Sequence, residues 1–153
     1  MHRRSVRSSL SSPAFHFDDA DQRAQALTPE QRQTLRDEAM REQMRRGLRR
    51  TLFEPNLFGE PAWDILLALY VIDDVERRLN IAQLTAITHV PLTTALRWLA
   101  HLEDQDLVSR SIAPADHRMV LIELTDFGRR AMEAYLGRAQ DAAALLARPR
   151  GAN

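Results

Sequence analysis

The sequence predicts a mainly α-helical chain that carries one small β-hairpin. Three observations lead there. Helix-start signals stand at Thr28, Pro61, Asn80 and Thr125. Two short amphipathic stretches lie on either side of a tight turn at His89-Val90-Pro91. Two alternating stretches, Leu107 to Ile112 and Met119 to Leu124, flank the polar turn Ala113-Pro114-Ala115-Asp116-His117-Arg118.

The elements follow in chain order. Residues 1–27 have Ser clusters and no apolar period, which reads as a disordered tail. Thr28 is suited to cap a helix, Pro29 to its first position, and Gln31 to closing a reciprocal capping box. That helix is expected to run to about Arg50. Met40, Met44, Leu48 and Leu52 form a narrow apolar stripe on it, too narrow for a core of its own, so the stripe needs a partner helix. Residues 28–54 are therefore a candidate dimerisation arm, while Arg45, Arg46, Arg49 and Arg50 read as a solvated face. Pro55, Gly59 and Pro61 mark a connector. From Pro61 to Ile72 the chain is apolar nearly all round, as a central buried helix is. Asp73-Asp74 ends that run with plain helix-end charges.

After an extended piece at Arg78–Ile81, Asn80 and Gln83 form a second capping box. Ile81, Leu84, Ile87 and Thr88 give the next helix one apolar side. His89 stands where a glycine is common in such turns. A left-handed backbone there is unusual, although His tolerates it better than most residues; the alternative is a wider turn. In the following helix, Leu92 to Gln105, the residues Leu92, Ala95, Leu96, Leu99 and Leu102 fall on an inward arc at 100° per residue. Thr94, Arg97, His101 and Gln105 fall opposite, Thr93 to one side and Trp98 on the boundary. Two short helices around a tight turn, the second with a free polar face, make a helix-turn-helix. In the first hairpin strand Val108 and Ile112 are placed on one face with Arg110 opposite; in the second, Val120, Ile122 and Leu124 share a face. The whole is a winged helix-turn-helix domain, residues 55–148, with flanking N- and C-terminal helices and a tail at 149–153. The last helix, capped at Thr125, has the stripe Met132, Tyr135, Leu136, Ala139 and Leu146, is short for a dimerising element, and ends before Pro149.

Three runs resemble the MarR family of bacterial transcription regulators. Leu102-Glu103-Asp104-Gln105-Asp106-Leu107-Val108-Ser109-Arg110 resembles the end of its recognition helix and the first wing strand. Asp116-His117-Arg118 resembles its wing tip, and Leu124-Thr125-Asp126-Phe127-Gly128 the start of its last long helix. The similarity covers Pro61 to Leu136. It implies a DNA-binding regulator whose second helix of the pair enters the major groove through Thr93, Thr94, Arg97 and His101. It further implies Arg118 as a minor-groove finger supported by Asp116, with Arg110 and His117 beside it on the wing. The chemistry of these residue types agrees. Arg reads guanine as a fork and Thr meets a thymine methyl or a phosphate, and a narrow minor groove concentrates negative potential that suits Arg. The resemblance also implies a homodimer on double-stranded DNA and leaves room for a small-molecule effector that no residue here identifies.

Composition sets the outer bounds. The chain has 153 residues and no cysteine, so disulfides, thiolate metal sites and thiol redox sensing are excluded. No apolar run reaches membrane-span length and no secretory h-region stands at the start, which fits a cytoplasmic protein away from membranes. His2, His16, His89, His101 and His117 lack metal-ligand spacing, and no phosphate loop or acid/base pair is legible; neither an enzyme nor a cofactor is expected. All 21 Lys+Arg positions are Arg and the net charge is zero. Residues 1–50 hold 11 Arg and 7 acids (+4), residues 51–106 hold 3 and 9 (−6), and residues 107–153 hold 7 and 5 (+2). The acidic middle counts against phosphate binding. It motivates the competing reading, a winged-helix protein-interaction module without DNA.

Overall fold

The computed structural model describes residues 26–73, 77–149 and 151. Apart from residues 26 and 27 the expected disordered tail lies outside them, as do Asp74, His2 and His16. Five helices and three strands follow in order: α1 (Pro29–Leu52), α2 (Pro61–Val71), β1 (Leu79–Asn80), α3 (Ile81–Thr88), α4 (Leu92–Asp104), β2 (Val108–Ile112), β3 (Val120–Leu124) and α5 (Asp126–Ala147). The architecture is a winged helix-turn-helix with a helix at either end. The strands form one antiparallel sheet in the order β1-β3-β2.

The helix starts form as their residues dictate. Gln31 N–H donates to Thr28 Oγ1 (3.2 Å) and Thr28 N–H to Gln31 Oε1 (2.8 Å). Asn80 and Gln83 repeat this box at α3, at 2.9 and 3.0 Å. Each box satisfies two backbone donors that a helix start otherwise leaves without partners. The helix α2 lies at the centre of the core, burying Ile65, Leu67, Ala68, Leu69 and Tyr70. Leu84 of α3, Leu99 of α4, Ile122 of β3 and Leu136 of α5 are fully buried with it. Each such side chain contributes about 1.5–3 kcal/mol by leaving water. Burial in this core pushes the Tyr70 hydroxyl up to about 12.

Several expectations are corrected. Arg46 is not part of a solvated face: it is 4% exposed. Its Nε donates to Asp64 (2.6 Å) and its Nη1 to Glu60, so it ties α1 to the start of α2. Burial by itself lowers its pKa, but the hydrogen bonds and charges of Asp64 and Glu60 outweigh that and raise it. Asp73 is more than a helix-end charge. It accepts from Arg129 of α5 through Nη2 (3.0 Å) and Nε, and its carbonyl accepts from Arg36 (3.4 Å). On α3, Leu84 and Thr88 are buried while Ile87 is exposed. The inward ridge of α4 is Ala95, Leu99 and Leu102 alone; Leu92 and Leu96 lie exposed at its edge. That rotation leaves Thr93 exposed and Thr94 half-buried. On β2, Val108, Arg110 and Ile112 share one face, because side chains alternate with a period of two. Ile112 and Val120, paired across the hairpin, are both exposed beyond the edge of the core.

The helix α5 is a full 22 residues, six turns rather than a short element. Its Met132 and Leu136 are buried, Tyr135 stacks edge-on against Trp63 at 4.7 Å, and Leu146 stands exposed.

Candidate nucleic-acid interface

The turn between α3 and α4 sets the direction of the second helix. His89 adopts the left-handed conformation (φ 57°, ψ 20°) that the sequence makes unusual there. Its N–H donates to Thr85 O (2.9 Å), ending α3. The buried Thr88 hydroxyl donates to Leu84 O (2.8 Å) and accepts from Val90 N–H (3.3 Å). Pro91 O then accepts from Ala95 N–H (2.8 Å), starting α4 with almost no intervening chain. A left-handed non-glycine residue carries a strain of about 1–2 kcal/mol, and the hydrogen bonds and burial around it hold it in place.

With Ala95, Leu99 and Leu102 packed inward, α4 presents Thr93, Arg97, His101 and Asp104 to solvent. Arg97 makes no ion pair among the described residues, so its guanidinium fork is open. The His101 ring lies 5.6 Å from that of Trp98, which is half-buried against the core. Gln105 caps the helix end.

From there a second left-handed residue, Asp106 (φ 58°), reverses the chain into β2. Leu107 N–H donates to Leu102 O (2.9 Å), and the Thr125 hydroxyl to Asp106 O (2.5 Å). The hairpin then runs out to a tip in which Asp116 Oδ1 accepts from Arg118 N–H (3.0 Å) and lies 3.5 Å from Arg118 Nε. The Arg118 side chain is 94% exposed despite that contact. Asp116 thus fixes the backbone of the tip and faces Nε of the guanidinium, leaving its outer Nη1 and Nη2 donors toward solvent. His117 is exposed beside it.

Arg110 stands apart from these groups. Its Nε donates to Glu103 Oε1 (2.8 Å) and its Nη2 to Glu103 Oε2, a bidentate bridge from β2 back to α4. The bond from Arg110 holds the Glu103 carboxyl below its ordinary range. Sequence reasoning missed Glu103, although its seven-residue spacing from Arg110 across a tight turn was the available signal. Thr93, Arg97, His101, His117 and Arg118 are therefore exposed, Thr94 is half-buried, and Arg110 is engaged within the protein.

The stripe on α1 lies open. Met40, Met44, Leu48 and Leu52 are all exposed, with Phe53, Leu57 and Phe58 continuing it past the helix end. Met40 and Met44, together with Val71 and Ile87, line an open cavity of about 350 Å³. Among the described residues no helix is long and apolar enough to cross a membrane, and no group of three or more His, Asp or Glu is placed to hold a metal ion.

No protein-family model matches this sequence, and no curated protein matches it. Solved structures do. A mutant of S. aureus MepR superposes with a TM-score of 0.52 at 18% identity, over 78% of this chain and 82% of that one. A MarR family transcriptional regulator from Silicibacter pomeroyi DSS is 25% identical, with a TM-score of 0.48 over 60% of this chain and 59% of that one. The S. aureus MepR-DNA complex gives a TM-score of 0.48 at 17% identity, over 70% and 82%. The first of these likenesses shows a shared fold.

Proposed function

We propose that this chain is a DNA-binding transcriptional regulator of the MarR type. In this reading α4 enters the major groove and the β2–β3 wing tip the adjacent minor groove. The observation that carries it is the pair of open guanidiniums on the helix and the wing. Arg97 is exposed on the outer face of α4, and Arg118 is exposed at a tip pre-set by Asp116. Thr93 and His101 flank Arg97, and His117 flanks Arg118; Thr94, half-buried, supports the helix face from its edge. A bidentate Arg97 contact to guanine discriminates by about 1–3 kcal/mol. The wing arginine suits an A·T-rich minor groove.

The exposed stripe of Met40, Met44, Leu48 and Leu52 supports a homodimer through α1. A dimer places two copies of α4 one helical turn apart and gives a pseudo-palindromic operator. Sedimentation that finds only monomer at micromolar concentration removes this part. The cavity beside Met40 and Met44 is room for a small effector; a thermal-shift screen without a specific hit leaves that extension unsupported.

The test of the main reading is recovery and sequencing of fragmented host genomic DNA bound to the protein, with the Arg97→Ala/Arg118→Ala double variant as control. Discrete peaks lost in the variant are expected. No enrichment over the variant, from folded protein at low salt, favours instead a protein-interaction module, whose basic partner would meet acids such as Asp104 on α4.

A further inference from the structure

We infer that Glu103 and Arg110 form a positioning bridge that fixes the wing at a set angle to α4, and that Arg110 is not itself a phosphate contact. The inference rests on the DNA-binding reading above.

Arg110 lies in mid-strand on β2, two residues beyond the last β2 side chain buried in the core, Val108. Past Ser111, whose partner Leu121 still pairs with Asn80 of β1, the hairpin continues as a two-stranded ribbon: Ile112 and Val120, the outermost pair, are both exposed. An isolated hairpin is marginally stable and free to swing. Beyond the backbone bonds of the turn itself, the side-chain tie from the hairpin to the helix beside it is the double hydrogen bond from Arg110 to Glu103, which stands in the last turn of α4. A fork-to-carboxylate bridge fixes both distance and plane, unlike a single point contact. It lies between the two open guanidiniums in the chain path, Arg97 on α4 and Arg118 at the tip. The Nε/Nη2 edge, the fork that Arg110 would offer a phosphate, already faces a carboxylate. Displacing Glu103 would also bring its negative charge toward the nucleic acid.

Two measurements test this on the full chain. The first needs no DNA. The sequence has no cysteine, so Ala100→Cys on α4 and Ala115→Cys on the wing accept a spin-label pair, both positions being exposed. The label–label distance distribution is expected to be narrow in the otherwise native protein, to broaden with Glu103→Gln or Arg110→Ala, and to narrow again with the swap Glu103→Arg/Arg110→Glu. Equal widths in all four proteins overturn the inference, whatever the protein binds.

The second measurement is the affinity for a short A·T-rich duplex across a salt series. Glu103→Gln and Arg110→Ala are each expected to weaken binding about threefold to thirtyfold, to leave the salt slope unchanged, and to cost nothing further in the Arg118→Ala background, because a bridge that acts through the wing is coupled to it. The charge swap is expected to restore affinity. An Arg110→Ala slope lower by about 0.9, the value of one phosphate contact, with no rescue by the swap, makes Arg110 a DNA contact and overturns the bridge. Absence of binding by the unsubstituted protein defeats the DNA-binding reading instead and leaves the spin-label result to decide the bridge.

Discussion

Two glycines in α5 should respond to the same substitution with opposite signs. Gly128 lies where the helix start presses against the end of the α4–β2 turn. A Cβ added there would sit 2.0 Å from the Leu107 carbonyl oxygen, 2.9 Å from its carbon and 3.2 Å from its Cα. These are backbone atoms held from both sides. Leu107 O accepts from Thr125 N–H (3.1 Å) and Leu107 N–H donates to Leu102 O (2.9 Å). No side chain is present to swing away, so the helix start must lift. Lifting it strains the Thr125 cap, whose Oγ1 accepts from Gly128 N–H (2.9 Å) and donates to Asp106 O. Overpacking of this kind costs about 1–3 kcal/mol, and a lost N-cap about 1 kcal/mol. Alanine's better helix propensity returns at most about 1 kcal/mol. The net expectation for Gly128→Ala is a loss of about 1–4 kcal/mol, a large share of a typical domain's stability. Gly137 lies in the same helix with nothing within 4 Å of an added Cβ. There Gly137→Ala should stabilise by about 0.5–1 kcal/mol. Urea unfolding followed by far-UV circular dichroism, at one fixed protomer concentration, reads both. Equal midpoints for Gly128→Ala and the unsubstituted protein would refute the argument that Leu107 and Gly128 are in backbone contact.

Other consequences are open to the same assay. Arg46→Met should keep the stem packing yet destabilise by about 2 kcal/mol, since it leaves the half-buried Asp64 carboxylate with only the longer Arg50 contact (3.7 Å); the figure is set below that for a fully buried pair because Glu60 is exposed. His89→Gly should raise stability by up to about 1 kcal/mol by relieving the left-handed backbone, and His89→Val should lower it. Burial holds the Glu133 carboxyl above its ordinary 4.5. A raised carboxyl contributes stability below 4.5 that is lost as pH rises through its folded value, so Glu133→Gln should be the more stable protein at neutral pH. Glu103 is shifted the other way by Arg110. Its contribution is present above 4.5 and lost as pH falls through the lowered value, and a Glu103→Gln variant should show a shallower acid limb in a pH series of unfolding midpoints.

Much of the fold was legible because the local signals are short-range. Capping boxes at Thr28 and Asn80, Pro61 at a helix start and the Thr125 cap all formed where their own side chains place them. The errors share a cause. Helical arcs drawn at 100° per residue locate a stripe but not the edge at which a neighbouring helix stops covering it. Hence the arcs place Leu92, Leu96 and Ile87 inward, whereas they stand exposed. The sequence places Arg46 in solvent because its partners, Glu60 and Asp64, lie beyond a connector and on another helix. Of the candidate site, the open arginines were readable from residue type and position. The engagement of Arg110 was not, because it depends on the angle at which the hairpin leaves α4, which Asp106 sets by a left-handed backbone that Asp tolerates but does not announce.

The same pairings resolve the conflict between an acidic middle segment and a nucleic-acid reading. Of the nine acids in residues 51–106, Glu60 and Asp64 face Arg46, and Asp64 also Arg50. Asp73 faces Arg129 and Glu103 faces Arg110. The four acids thus meet arginines drawn from the two basic segments. A charge count by segment therefore describes how the chain is stitched together rather than the potential its outer faces present. The stitching joins α1 to α2, α2 to α5 and α4 to the wing, and leaves Arg97 and Arg118 as cations offered outward from those joined elements. With a net charge of zero the chain has no overall positive charge to draw a duplex without regard to sequence. Binding in this reading must come from a few well-placed contacts. Such a design favours discrimination among sites over affinity for DNA at large, and it makes the fixed angle between α4 and the wing matter more than any single charge.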